Sequence, residues 1–163
     1  MTNERLPFDL DSYLDKIQKG PCFICEMVAG RLNGNYIIEH NDDYIIFLNK
    51  YPGLYGYTLV APAKHKEQVT GDFSLEGYLA LQSVIYRTAE AVRKSVTAER
   101  VYILSLGSQQ GNRHVHWHIA PLPFGVPFKE QQLEALKIEN GILAIPEDEM
   151  EKLARKIAQN MNE

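Results

Sequence analysis

The stretch Arg113-His-Val-His-Trp-His-Ile-Ala-Pro121 alternates between imidazole and apolar side chains. That alternation has the period of a β-strand. A strand of this kind has two unlike faces, with Val115, Trp117 and Ile119 on one and His114, His116 and His118 on the other. The apolar face demands a covering layer, while the imidazole face has to meet something polar. Neighbouring imidazoles on one face are expected roughly 7 Å apart, twice the rise per residue. Three of the chain's five histidines are committed here. One row therefore offers metal ligation, nucleophilic attack and phosphate contact near neutral pH.

The flanking segments supply the rest of a sheet and its cover. Tyr36–His40, Tyr44–Leu48 and Tyr57–Ala61 read as a β-meander, punctuated by Asn41-Asp42-Asp43, by the loop Asn49–Gly56 and by Pro62. Ser74 is placed to cap a long helix to Val96, whose stripe runs through Leu75, Tyr78, Leu81, Ile85, Ala89, Val92 and Val96. Arg100–Leu106 is a fourth strand, and the polar loop Gly107–Asn112 leads into the histidine strand, the fifth. Pro121, Pro123 and Pro127 rule out an interior strand or helix beyond it. A short helix is expected over Gln131–Ile138 and a last one over Glu147–Met161, with Met150, Leu153, Ile157 and Met161 as its apolar row. Near the start, Leu10, Tyr13, Leu14 and Ile17 fall at helical spacing, between Asp9 or Asp11 as cap and Gly20 as stop. This reads as a packing arm without chemistry. Hairpin-linked strands on both sides of one long helix make the class α+β with an antiparallel sheet.

At 163 residues the chain is expected to be a single domain. A net charge of −4 argues against a general electrostatic grip on nucleic acid. No apolar run approaches the roughly 20 residues of a membrane span. Met-Thr-Asn-Glu-Arg-Leu-Pro lacks a signal-peptide layout, so a cytoplasmic protein is expected. The two cysteines form a single C-x-x-C, Cys22 and Cys25, which fits a redox pair, two unrelated buried thiols, or half of a zinc site. The zinc reading needs two further ligands, with His65 and a member of the histidine row as candidates. An all-histidine metal site within the row is a further option, opposed by the spacing of same-face neighbours. A metal-free role suits the middle histidine. A neutral imidazole attacks phosphorus well, and Ser108, Gln109, Gln110 and Asn112 are placed just upstream to donate to phosphate oxygens.

His114-Val-His116-Trp-His118-Ile-Ala resembles the His-x-His-x-His signature of the histidine triad (HIT) family. Cys22-Phe-Ile-Cys25 with Gly30 resembles the opening of its zinc-bearing members. Phe47-Leu-Asn49-Lys-Tyr-Pro52, Gly56 and Leu59-Val-Ala-Pro62-Ala-Lys-His65 resemble the dinucleoside polyphosphate-cleaving branch. The resemblance covers a core over 20–123, leaving an arm at 1–19 and an extension at 124–163. It implies a homodimeric fold with a five-stranded antiparallel sheet, one long helix and C-terminal helices. It further implies cleavage at the α-phosphate of a purine nucleotide through a nucleotidyl-histidine. By position, His116 is the nucleophile and His118 contacts the phosphate or the leaving-group oxygen. Cys22, Cys25, His65 and His114 form the zinc set. Asn49 meets the ribose, and Phe23, Ile24, Met27 and Phe47 sandwich the base. Tyr57, Ser105 and Leu122 depart from residues common in the family, where histidine, asparagine and arginine are frequent. Two other functional classes stay open: a nucleotide-binding module with incidental turnover, and a metalloenzyme using all three histidines.

Overall fold

The structure, a computed structural model, describes residues 4–107 and 111–163. In chain order the elements are β1 (Arg5–Leu6), α1 (Leu10–Lys19), α2 (Phe23–Val28), β2 (Ile37–His40), β3 (Tyr44–Leu48), β4 (Thr58–Pro62), α3 (Leu75–Ser95), β5 (Arg100–Leu104), β6 (Trp117–Leu122), β7 (Ile142–Leu143) and α4 (Glu147–Met161). Five strands form one antiparallel sheet in the order β2-β3-β4-β6-β5, so the α+β reading holds.

Alternation along the central strands sorts their side chains onto two faces. Ile46, Leu48, Val60, Val115, Trp117 and Ile119 join one core cluster, covered by α3 and α4. The Ser74 hydroxyl caps α3 by accepting from the Gly77 N–H at 3.0 Å. Helix α4 contributes Met150, Leu153, Ala154, Ile157 and Met161 to the same core, so the C-terminal extension helps to build it. Lys156 and Asn160 donate to the backbone carbonyl and the hydroxyl of Ser95, tying α4 to the end of α3. On the opposite face, Ile45, Phe47, Leu59, Ala61 and Ala120 pack with Ile24 and Met27 of α2. Only short cover exists there.

The observed elements depart from the expected ones in instructive places. The histidine strand enters the ladder only at Trp117, although Val115, Trp117 and Ile119 do share a face as the alternation requires. Upstream, the Val115 N–H donates to the Lys66 carbonyl at 2.7 Å instead of to a sheet neighbour. β5 stops at Leu104, and the Ser105 hydroxyl takes the next rung by donating to the His116 carbonyl at 2.7 Å. The expected helix over Gln131–Ile138 is a pair of 3-10 turns, Gln132–Leu136 and Ile138–Asn140. Two features were not anticipated: the helix α2, and the pairing of β1 with β7.

Candidate functional site

Cys22 sits at the N-cap of α2 and Cys25 one turn in, so both thiols face one side of the helix start. The start of the histidine row reaches them on the face of the sheet that α2 covers. Cys22 Sγ lies 3.5 Å from His114 Nδ1, and Cys25 Sγ lies 3.5 Å from the same nitrogen and 3.4 Å from His65 Nδ1. All four potential ligand atoms fall within 4.8 Å of one another. A zinc tetrahedron with ordinary bond lengths has edges of about 3.4–3.8 Å, so the spacing fits.

The tautomers fit as well. His114 is fully buried, and its Nε2–H donates to the Pro62 carbonyl at 2.7 Å, which leaves the Nδ1 lone pair facing the thiols. Burial pushes the His114 pKa down to about 4, so the ring is neutral at pH 7. His65 Nε2 donates to the Glu67 carboxylate at 3.1 Å, likewise leaving Nδ1 inward. An acceptor behind each histidine is the usual support of a metal ligand. Burial raises the Cys25 thiol to about 11, with Cys22 and Glu26 adding to the rise and Arg31 opposing it.

The other two histidines are held differently. His116 Nδ1–H donates to the His114 carbonyl at 2.8 Å, so in the neutral ring the lone pair is on Nε2. Burial lowers its pKa and keeps the neutral form dominant at pH 7. His118 Nδ1 lies 2.9 Å from the Tyr57 hydroxyl. Burial raises that phenol to about 12, so Tyr57 keeps its proton. With Tyr57 as donor to Nδ1, His118 carries its own proton on Nε2. His118, pushed by burial down to about 4, stays neutral too. The two rings are 4.8 Å apart between centroids, closer than the roughly 7 Å expected for straight same-face neighbours. The row is therefore not three equivalent imidazoles. One turns to the thiols, and two converge with complementary nitrogens.

His116 and His118 line a cavity of about 940 Å³. Phe23, Phe47, Asn49 and Asn112 share its wall. Ile24 and Met27 do not. One helical turn apart on α2, they point into the sheet and are 0% and 2% exposed. Of the α2 apolar residues expected to sandwich the base, Phe23 alone is on the wall, and Ile24 and Met27 sit in the core behind it. Asn49 Oδ1 accepts from the Tyr51 N–H at 3.0 Å, which leaves its amide NH₂ as the free donor. The Asn112 carbonyl oxygen accepts from the His114 N–H and the Cys22 thiol, whereas its buried Nδ2 has no acceptor among the described residues. Ser108, Gln109 and Gln110 lie outside the described residues.

The sequence marked Gly56 and Tyr57 without their roles, left helix α2 unread and took helix α1 as a packing arm. The Tyr57–His118 bond pairs residues far apart in the chain, and register Leu59↔His118 across β4 and β6 is what brings them together. Gly56, at φ +82°, lets the chain turn into β4 just before Tyr57, where a Cβ would come within 2.9 Å of Val96. Helix α2 had a legible signal in the buried pair Ile24 and Met27 at i, i+3, ending at Gly30 with φ +70°. Helix α1 lines the cavity instead of packing on the core.

A family model described as the HIT domain matches residues 32–124. An uncharacterized HIT-like protein of Saccharolobus solfataricus is 34% identical over 124 residues, 69% of this chain and 88% of that protein. One from Mycoplasma genitalium is 31% identical over 114 residues, 66% of this chain and 77% of that protein. The fold matches a hypothetical histidine triad nucleotide-binding protein of Sulfolobus tokodaii with a TM-score of 0.69 at 22% identity, covering 86% of this chain and 92% of the other. A zinc-bound histidine triad family protein of Mycobacterium smegmatis gives a TM-score of 0.69 at 22% identity, covering 86% of this chain and 95% of the other.

Proposed function

This chain belongs to the histidine triad family, and from that premise we propose that it is a nucleotide hydrolase or nucleotidyltransferase acting at the α-phosphate of a purine nucleotide. The observation that carries the proposal is the bond from His116 Nδ1–H to the His114 carbonyl, which leaves the Nε2 lone pair of a neutral ring for attack. His116 Nε2 bonds to the α-phosphorus as the bond from phosphorus to the leaving-group oxygen breaks. His118 keeps its proton and hydrogen-bonds through Nε2–H to the phosphate or to that departing oxygen, a role its Tyr57-bonded tautomer supports. The unpartnered Asn112 Nδ2 is available to a phosphate oxygen. Water or another acceptor then attacks the phosphorus, the P–N bond breaks, and His116 is regenerated. Asn49 meets the ribose, and Phe23 and Phe47, whose rings meet edge to face at 6.4 Å, flank the base.

Cys22, Cys25, His65 and His114 would hold zinc, which when bound supplies a structural cross-link between α2 and the start of the histidine row. Zinc in the structurally similar Mycobacterium smegmatis protein supports this assignment. We also assign a homodimer. Leu75, Leu79 and Tyr86 are exposed along one stripe of α3, and Ile103 and Leu106 are exposed near β5, the strand at one end of the sheet. Sedimentation of Ile103→Glu as a monomer beside a dimeric wild type supports that assignment, and identical sedimentation contradicts it.

A product assay tests the activity. The protein is incubated with diadenosine polyphosphates and adenosine 5′-phosphoramidate, with and without inorganic phosphate, and the released nucleotides are identified. A nucleoside monophosphate is the expected hydrolysis product, with a diphosphate appearing where phosphate is the acceptor. Tight binding with negligible turnover on every substrate would instead favour a nucleotide-binding module.

A further inference from the structure

Helix α1 has no fully buried residue, yet its apolar side chains Leu10, Tyr13, Leu14 and Ile17 are half-buried and line the same cavity as His116 and His118. An apolar helix stripe ordinarily faces a core. This one faces space. The helix is also held in place. β1 pairs with β7, and the Arg5 guanidinium donates to the carbonyls of Gly141 at 3.0 Å and Gly53 at 2.9 Å. Phe8, Tyr13 and Tyr51 form a ring cluster with centroids 5.1 to 5.5 Å apart. At its other flank α1 meets the loop before the histidine row, where a Cβ on Gly111 would lie 4.0 Å from Leu14 Cδ2. The arm thus runs from the loop after Asn49 to the approach of His114, across the proposed nucleotide site. It lies outside the residues that match the family model.

Charge on the cavity wall is unevenly committed. Lys16 of α1, Lys50 and Arg113 line it, and none of the three has a side-chain ion pair or hydrogen bond among the described residues. Among the lining acids, Glu26 is held by Arg31 at 2.7 Å, which sets the three cations against Glu67, hydrogen-bonded by His65 at 3.1 Å, and Glu139 beside Lys137. A chain with net charge −4 therefore keeps a local surplus of free cations beside two imidazoles. Such an arrangement attracts phosphates, lysine acting as a point charge and arginine as a fork. The cavity, at about 940 Å³, is near the top of the usual range of roughly 300–1,000 Å³ for small-molecule sites.

We infer that α1 is a wall of the substrate site, on which Lys16, with Lys50 and Arg113, holds the phosphate chain of a dinucleoside polyphosphate while Tyr13 and Tyr51 offer a face to its second base. This rests on the proposed reaction at His116. A nucleoside phosphoramidate carries one phosphate and no second ring, so it leaves Lys16 and Tyr13 unused.

Steady-state kinetics of wild type, Lys16→Ala and Tyr13→Leu on diadenosine tetraphosphate and on adenosine 5′-phosphoramidate test the inference. Lys16 is exposed and Leu keeps the apolar contact of Tyr13, so both variants are expected to fold. In each, KM for the tetraphosphate is expected to rise about fivefold more than KM for the phosphoramidate. Equal changes on the two substrates, or none, overturn it. If wild type turns over neither compound, the reaction reading has failed and calorimetry decides the arm separately. Diadenosine tetraphosphate binding about fivefold more weakly to Lys16→Ala supports the inference, and equal affinities overturn it. Inorganic tripolyphosphate binding as tightly as diadenosine tetraphosphate would overturn the second-base contact.

Discussion

Strand β6 and its approach carry two faces that differ in what covers them. On one, Trp117 and Ile119 are 4% and 0% exposed beneath α3 and α4. On the other, His116 and His118 stand beside a cavity whose cover is a six-residue helix and an amphipathic arm. The same backbone serves both. Dense packing on the first face holds the strand still, and incomplete cover on the second leaves room for a substrate. The candidate site lies where the sheet is under-covered, and its support comes from the side that is fully covered.

Breaking the two faces separately sharpens that contrast. The largest effect is expected on the open face. His116→Ala is predicted to lower turnover by about 10³-fold or more with little change in unfolding midpoint. Unaltered turnover would remove His116 from the mechanism. On the covered face, Ile119→Ala is predicted to cost about 2–5 kcal/mol in urea unfolding while the folded fraction keeps its KM. A loss below about 1 kcal/mol would show that this face is not the close-packed support described. At the seam between them, Cys25→Ser is predicted to lower zinc content from one ion per chain and to cost more than about 2 kcal/mol. Elemental analysis finding no zinc in wild type purified without chelator would refute the metal assignment. The smallest effect is expected from Tyr57→Phe, which keeps the ring but frees His118 Nδ1. Turnover should fall about tenfold, and the ¹⁵N shifts of His118 should lose the pure Nε2–H signature. An unchanged tautomer would show that Tyr57 serves packing alone.

Much of the covered face was legible in the sequence, because periodicity reports burial. Tyr44–Leu48 and Glu147–Met161 fall where their patterns place them, and Ser74 caps α3 as its position suggests. The open face was legible only in part. Cys22, Cys25, His65 and His114 meet as the family resemblance implies, yet no local pattern says that His114 turns away from His116 and His118. That division depends on hydrogen-bond partners set by the tertiary fold, the Pro62 and His114 carbonyls and the Tyr57 hydroxyl. Ile24 and Met27 were read as pocket residues because apolar residues look alike in sequence whether they face a ligand or a core. Helix α1 erred in the opposite direction, with an amphipathic stripe that reads as packing and instead lines a cavity.

The central claim is that His116 becomes covalently nucleotidylated. Wild type mixed with diadenosine tetraphosphate, quenched in alkaline denaturant and examined by intact-protein and peptide mass spectrometry, tests it most directly. The expected result is an adenylyl adduct that forms within one turnover, maps to His116 and is absent in His116→Ala. Turnover without any adduct, or an adduct on another residue that persists in His116→Ala, would contradict the account.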